Sequence, residues 1–214
     1  MKKIILSAVF FTFFSVPMVN AQKVRIGFSG GTTLAQIRTK VDNKNDNSSF
    51  HPGFSAGILV QLLLGGQLSL QTGLGFLQKG GKESESFGGI TTKYTAVLNY
   101  LELPVNFVYR SKGEKGHFIA GAGPSFAYCL SGKAKASSEN QSSSEDFKIG
   151  YGTDDELKPF EFGVNMLAGY ESSMGILVTF NYNIGLSNSY NDGNAAWKNN
   201  YFGLKLGYFI RGKK

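Results

Sequence analysis

The sequence predicts an all-β fold, an eight-stranded antiparallel up-and-down transmembrane β-barrel. Three observations carry this expectation. First, apolar side chains recur at every second position in eight separate segments, the period of a strand with two different faces. Second, the connections between these segments alternate long and short along the whole chain. Third, charged residues are only 17%, below the roughly 25% of soluble domains, while Gly (28 of 214) and aromatics (14%) are abundant.

In chain order, residues 1–21 have the features of a secretory signal peptide. Lys2 and Lys3 precede an apolar run, Ile4 to Val19, and Val19-Asn20-Ala21 offers small residues before a cut at Gln22. The run is shorter than the ~20 residues that a spanning helix needs. Loss of the two leader lysines lowers the formal charge from +7 to +5. That surplus is dispersed, with no basic block interleaved with aromatics, so nucleic acid is not an expected partner. The lone Cys129 leaves no internal disulfide to stabilise the exported chain.

Residues 22–214 form the expected barrel domain. Segment one, Val24–Leu34, sets Val24, Ile26, Phe28 and Leu34 against Arg25, Gly27 and Ser29. Segment two, Phe54–Leu64, has the bulky face Phe54, Ile58, Val60, Leu62. Gly65-Gly66 turns the chain into segment three, Leu68–Gln78, where Leu68, Leu70, Leu74 and Phe76 oppose Ser69, Gln71 and Gly73. The central pair is the clearest: Leu101, Leu103, Val105, Phe107 and Tyr109 alternate with Glu102, Pro104 and Asn106. After a short polar link, Phe118, Phe126, Tyr128 and Leu130 alternate with small residues. Segments six to eight, near 160–171, 176–186 and 200–210, repeat the pattern. The connections are 35–53, 65–67, 79–91, 111–116, 131–158, 172–175 and 187–199. Long loops therefore gather at one end and short turns at the other, together with both chain ends of the barrel. Outer-membrane barrels combine even strand number, short periplasmic turns and long extracellular loops. The longest polar stretch, 131–158, is expected to be disordered at its tip.

Alternation alone does not say which face is inside. A soluble lipocalin-like barrel would turn the bulky face inward. Continuity of the apolar faces, the Gly/Asn/Ser/Thr character of the opposite faces, and confinement of charge to loops favour lipid outside and a polar lumen. Aromatics near strand ends (Phe54, Phe76, Tyr109, Phe118, Tyr128, Phe160, Tyr170, Phe202, Tyr208) are suited to two interfacial girdles. The expected structural lumen network consists of Arg25, Glu102, Asn106, Glu161, Asn165 and Lys205, with Gln71 and Asn181 beside them. Buried charge is costly unless paired, so Glu102 and Glu161 are expected to pair with Arg25 and Lys205, filling the lumen and holding the register.

The stretch YLELPVNFVY, its short turn and FIAGAGPSFAYCLS resemble the core of the PorT-family, porin-like outer-membrane β-barrel proteins of Bacteroidetes, whose pattern is a YLEIP strand followed by a glycine-rich AGP strand. FSAGILVQ, LSLQTGLGFLQKG, FEFGVNMLAGYE and FNYNIGLSN extend the resemblance over nearly the whole mature chain. It implies a bacterial outer-membrane location and a link to envelope assembly or protein secretion. The chain departs from the terminal aromatic common in such barrels, running past Phe209 to Arg211-Gly212-Lys213-Lys214.

No catalytic constellation is expected. His51 falls in a long loop and His117 at the opposite end, separated by a bilayer core of ~30 Å, and neither has a nucleophile context. No metal-ligand spacing, phosphate loop or dinucleotide fingerprint is present, so no metal and no cofactor are expected. The sequence favours a monomeric, non-enzymatic barrel with a structural or interaction role, in contact with outer-membrane lipid and envelope or secretion proteins. A narrow solute channel and a soluble ligand carrier are the alternatives.

Overall fold

The computed structural model describes residues 24–41, 44–138, 141–191 and 195–210. The expected leader (1–21) and basic tail (211–214) lie outside the described residues. The elements are β1 (Val24–Val41), β2 (Lys44–Asn47), β3 (Ser49–Gly65), β4 (Leu68–Phe87), β5 (Ile90–Arg110), β6 (Gly116–Ser137), β7 (Ser142–Asp146), β8 (Phe160–Ser172), β9 (Ile176–Gly185) and β10 (Ala195–Phe209). Eight of them, β1-β3-β4-β5-β6-β8-β9-β10, form an antiparallel up-and-down ring, closed by β10 pairing with β1. Closure runs from Gly27↔Phe209 to Val41↔Ala195 and leaves no free edge in the ring. Gly31 lies on this seam, where an added Cβ would run into the Leu204 carbonyl. The short β2 and β7 pair with β1 and β6 at the long-loop end.

The faces divide as the alternation requires. Along β5, Leu101, Leu103, Phe107 and Tyr109 are exposed, while Tyr100, Glu102, Asn106 and Val108 are buried. Ile58 on β3 is 58% exposed, and Phe28, Leu74, Phe180 and Leu206 continue the apolar outer wall on other strands. A water-soluble carrier would require the opposite arrangement, because soluble proteins rarely expose apolar patches beyond a few hundred Å². The soluble alternative is therefore overturned by which way the bulky side chains point. Outward aromatics form two belts: Phe54 stacks on Phe76 and Tyr182 on Phe202 near the long-loop end, and Phe118 meets Tyr170 near the short turns.

All four long connections expected to be loops carry strand instead. Within 35–53, β1 runs on to Val41, Lys44–Asn47 forms β2 and β3 begins at Ser49; within 187–199, β10 begins at Ala195. Residues 79–91 prolong β4 and start β5, in continuous register from Lys79↔Leu98 to Phe87↔Ile90. The chain reverses at Gly88 and Gly89, with φ of 60° and 85°. Two consecutive positive φ values define the tight hairpin turn that matches strand twist. Replacing Gly88 with Val forces a branched side chain into that region and is expected to cost the hairpin about 1–2 kcal/mol. Hydrogen exchange should show faster exchange of the 83–94 amides with the ring amides unchanged. Within 131–158, β6 continues to Ser137, β7 folds back on it, and Leu157 is buried. Phe147, Ile149 and Leu157 anchor the described part of this stretch in an apolar cluster, while the tip expected to be disordered, 139–140, lies outside the described residues.

Candidate functional site

The lumen is packed in layers. Near the short turns, Val108, Ile119, Leu167, Leu177 and Phe209 form an apolar cluster, with Leu59 against it. Near the long loops, Leu98, Tyr100, Ala127, Cys129 and Leu157 form another, capped by Phe147, Ile149, Tyr190 and Trp197. Inward parity sets the strand positions among these, which occupy the side facing away from the exposed wall, while Leu157 and its neighbours Phe147, Ile149 and Tyr190 reach the cluster from the connections. Eight strands make a barrel that side chains can fill.

Polar groups lie within and between these layers in three clusters. In the first, Lys79 Nζ lies 2.9 Å from Glu161 Oε2, both side chains almost fully buried. Ser189 Oγ donates to Glu161 Oε1 at 2.7 Å, and Tyr100 Oη and Asn199 Nδ2 donate to the same oxygen. Lys79 also sits over the Tyr100 ring, 4.6 Å from its centroid. In the second, near the short turns, Glu171 Oε1 takes Arg25 at 2.6 Å and Arg110 at 3.1 Å. Arg25 Nη1 also donates to Gln61 at 2.9 Å and its guanidinium lies over Phe209. In the third, Tyr201 Oη donates to Glu102 Oε2 at 2.7 Å, and Asn165 Nδ2 donates to Asn106 Oδ1 at 3.1 Å.

All six expected lumen residues thus face inward, but the expected pairing is corrected. Glu161 pairs with Lys79, and Arg25 pairs with Glu171; no ion pair among the described residues joins Glu102 to Lys205. Glu102 and Lys205 line one cavity of about 40 Å³ with Gln71 and Asn165. Lys79, Glu171 and Arg110 were not anticipated. Each continues its strand's inward parity: Lys79 and Arg110 one step past the expected segments, after Gln71 and Gly73 and after Glu102 and Asn106, and Glu171 as the last residue of its expected segment, after Glu161 and Asn165. Carrying the alternation through to the strand ends identifies all three.

The two histidines lie at opposite ends. His117 Nδ1 is 2.7 Å from the Ser111 carbonyl, beside the β5–β6 turn. His51 lies beyond the outer-wall band at the long-loop end, where burial and then the cations Lys82 and Lys135 lower its pKa below the ordinary 6.5. The unfolded chain therefore takes up the proton first as pH falls. Its contribution to stability is complete above pH 6.5 and declines below it, levelling off once the folded form is also protonated. Unfolding curves of the wild type and His51→Gln should converge above pH 7 and separate below about 6.5, with the variant losing less stability on acidification.

Residues 20–191 match the model of a family described as outer membrane protein beta-barrel domain. Among solved structures, similarity is found to Ail, the attachment invasion locus protein of Yersinia pestis, at 17% identity, covering 88% of this chain and 99% of that one with a TM-score of 0.42. Neisserial surface protein A is similar at 10% identity, 86% and 97% coverage and a TM-score of 0.41. The outer membrane protease OmpT of Escherichia coli is similar at 12% identity, 87% and 96% coverage and a TM-score of 0.35. Comparison with the curated proteins finds no match.

Proposed function

Given that the chain belongs to the outer membrane protein beta-barrel domain family of the bacterial outer membrane, we propose that it is a non-conducting barrel with a structural or interaction role, whose long-loop end is its partner surface. The observation that carries this reading is the contrast between its two regions. The lumen holds two apolar layers and buried ion pairs, and the cavity beside Glu102 and Lys205 is about 40 Å³, room for little more than water. The β4–β5 hairpin, in contrast, continues from Lys82, its last residue paired with β3, to Phe87, about 17 Å of strand at the usual rise. Its tip presents Phe87 (92% exposed) and Ile90, flanked by Glu85 and Lys93. Exposed aromatic and aliphatic side chains on a paired, projecting hairpin are suited to protein contact.

The YLELP strand and following AGP motif support a finer placement within the PorT-like barrels of Bacteroidetes, and with it a part in envelope assembly or protein secretion. The N-terminal leader supports export. We assign no catalytic step to the chain.

Planar-bilayer recording of the refolded protein tests the reading. Stable insertion without unitary current steps is the expected result, whereas reproducible steps would establish the narrow-channel alternative. Photocrosslinking in intact cells from positions 87 and 90 should capture an envelope protein, and barrels lacking residues 83–94 should insert without capturing it.

A further inference from the structure

Above the apolar plug, the upper walls of β1, β4, β5, β6 and β7 surround a partly open cavity of about 370 Å³. Its volume falls within the range of ordinary small-molecule sites, about 300–1,000 Å³. Trp197, Phe147, Tyr94 and Ile37 supply its apolar lining. Trp197 stacks on Tyr190 with centroids 4.8 Å apart and meets Phe147 edge-on at 6.2 Å, so the aromatic floor is fixed by its own packing.

Two acids, Glu83 and Glu145, also line the cavity. Register sets Glu83 opposite Tyr94 and Glu145 opposite Ala134. Among the described residues neither acid is held in an ion pair. Lys135 is the third charged lining residue. It is exposed and alternates with the half-buried Ala134 and Ala136, so it belongs to the opposite side of β6. The lining therefore carries an excess of negative charge on a chain whose formal charge is +7.

We infer that this vestibule binds a small amphipathic organic cation, an ammonium group carried on an aromatic or compact aliphatic body. Aromatic faces attract cations through their quadrupole, and the effect grows as water is excluded. The apolar floor accepts the body of the ligand, while Glu83 and Glu145 complement its charge. A neutral ligand of the same shape would gain the floor but not the acids, and an anion would be repelled by them. The site lies outside the sealed lumen, so binding needs no passage through the barrel.

The chain contains a single tryptophan, so Trp197 reports on the vestibule directly. Titrate the full mature chain, refolded in phosphatidylcholine nanodiscs, with benzyltrimethylammonium, benzyl alcohol and benzenesulfonate. The expected result is a saturable change in Trp197 emission with the cation, and weak or no change with the other two. The double variant Glu83→Gln/Glu145→Gln should weaken the cation by about tenfold. Ala96→Phe, which fills the cavity from its wall, should abolish the response while the barrel keeps its heat-modifiable migration on gels. The inference is overturned by absence of saturation with the cation, by equal binding of benzyl alcohol, or by unchanged cation affinity in either variant. A failed cation titration leaves the bilayer and crosslinking results intact, so this inference and the proposed role are distinguishable.

Discussion

Replacing Lys79 with Met should cost the barrel about 3–5 kcal/mol, the usual penalty for removing one partner of a buried ion pair. Lys79 and Glu161 are each almost fully buried and 2.9 Å apart. Without the ammonium, Glu161 retains donors from Tyr100, Ser189 and Asn199 but no compensating charge. Adding Glu161→Gln removes the stranded charge and keeps an oxygen that can accept from those donors. The double variant should therefore recover most of the loss, because a buried pair is often worth little net against a neutral replacement. Urea unfolding from phosphatidylcholine vesicles, followed by Trp197 emission, measures both. A Lys79→Met loss under about 1 kcal/mol would mean that the pair is not desolvated as described.

Arg in place of Ile58 should cost about 2–4 kcal/mol, because it puts a cation on the outer wall at mid-height. Ile58 is 58% exposed and lies between Phe28 and Leu74 on the neighbouring strands, near the middle of the apolar segment of β3. Leu68 is as exposed but adjoins the Gly65-Gly66 turn, at the rim of the wall. Leu68→Arg should therefore cost no more than about 1 kcal/mol. This depth dependence separates a lipid-facing surface from a protein–water surface, where both substitutions would cost little. The same vesicle unfolding assay gives both numbers.

The parts of the fold legible in the sequence are those where the two faces meet different media. From Leu101 to Tyr109 every second residue is bulky because one face meets lipid and the other meets the lumen, and the structure divides them along that line. Above the band this contrast is lost. Glu83 to Tyr94 is wet on both faces, so strand and loop have similar composition there, and only Gly88-Gly89 and the run of Thr and Tyr residues signalled a hairpin. The inward orientation of Arg25, Glu102, Asn106, Glu161, Asn165 and Lys205 followed from the same parity. Their partners did not, because pairing across a lumen depends on stagger between strands, which parity within one strand does not determine. Arg25 reaches Glu171 and not Glu102, since it is the second residue of β1, opposite Gln61 at the short-turn end.

The central claim is that the bulky face of each strand is the outer wall. Its most direct test is spin labelling at successive positions from 101 to 109 in a Cys129→Ser background, with the barrel refolded in lipid vesicles. Labels at 101, 103, 105, 107 and 109 should be relaxed by oxygen dissolved in the bilayer and shielded from a water-soluble nickel complex. Labels at 102, 104, 106 and 108 should be sheltered from both. Oxygen access at the even positions, or nickel access at the odd ones, would contradict the assignment of faces.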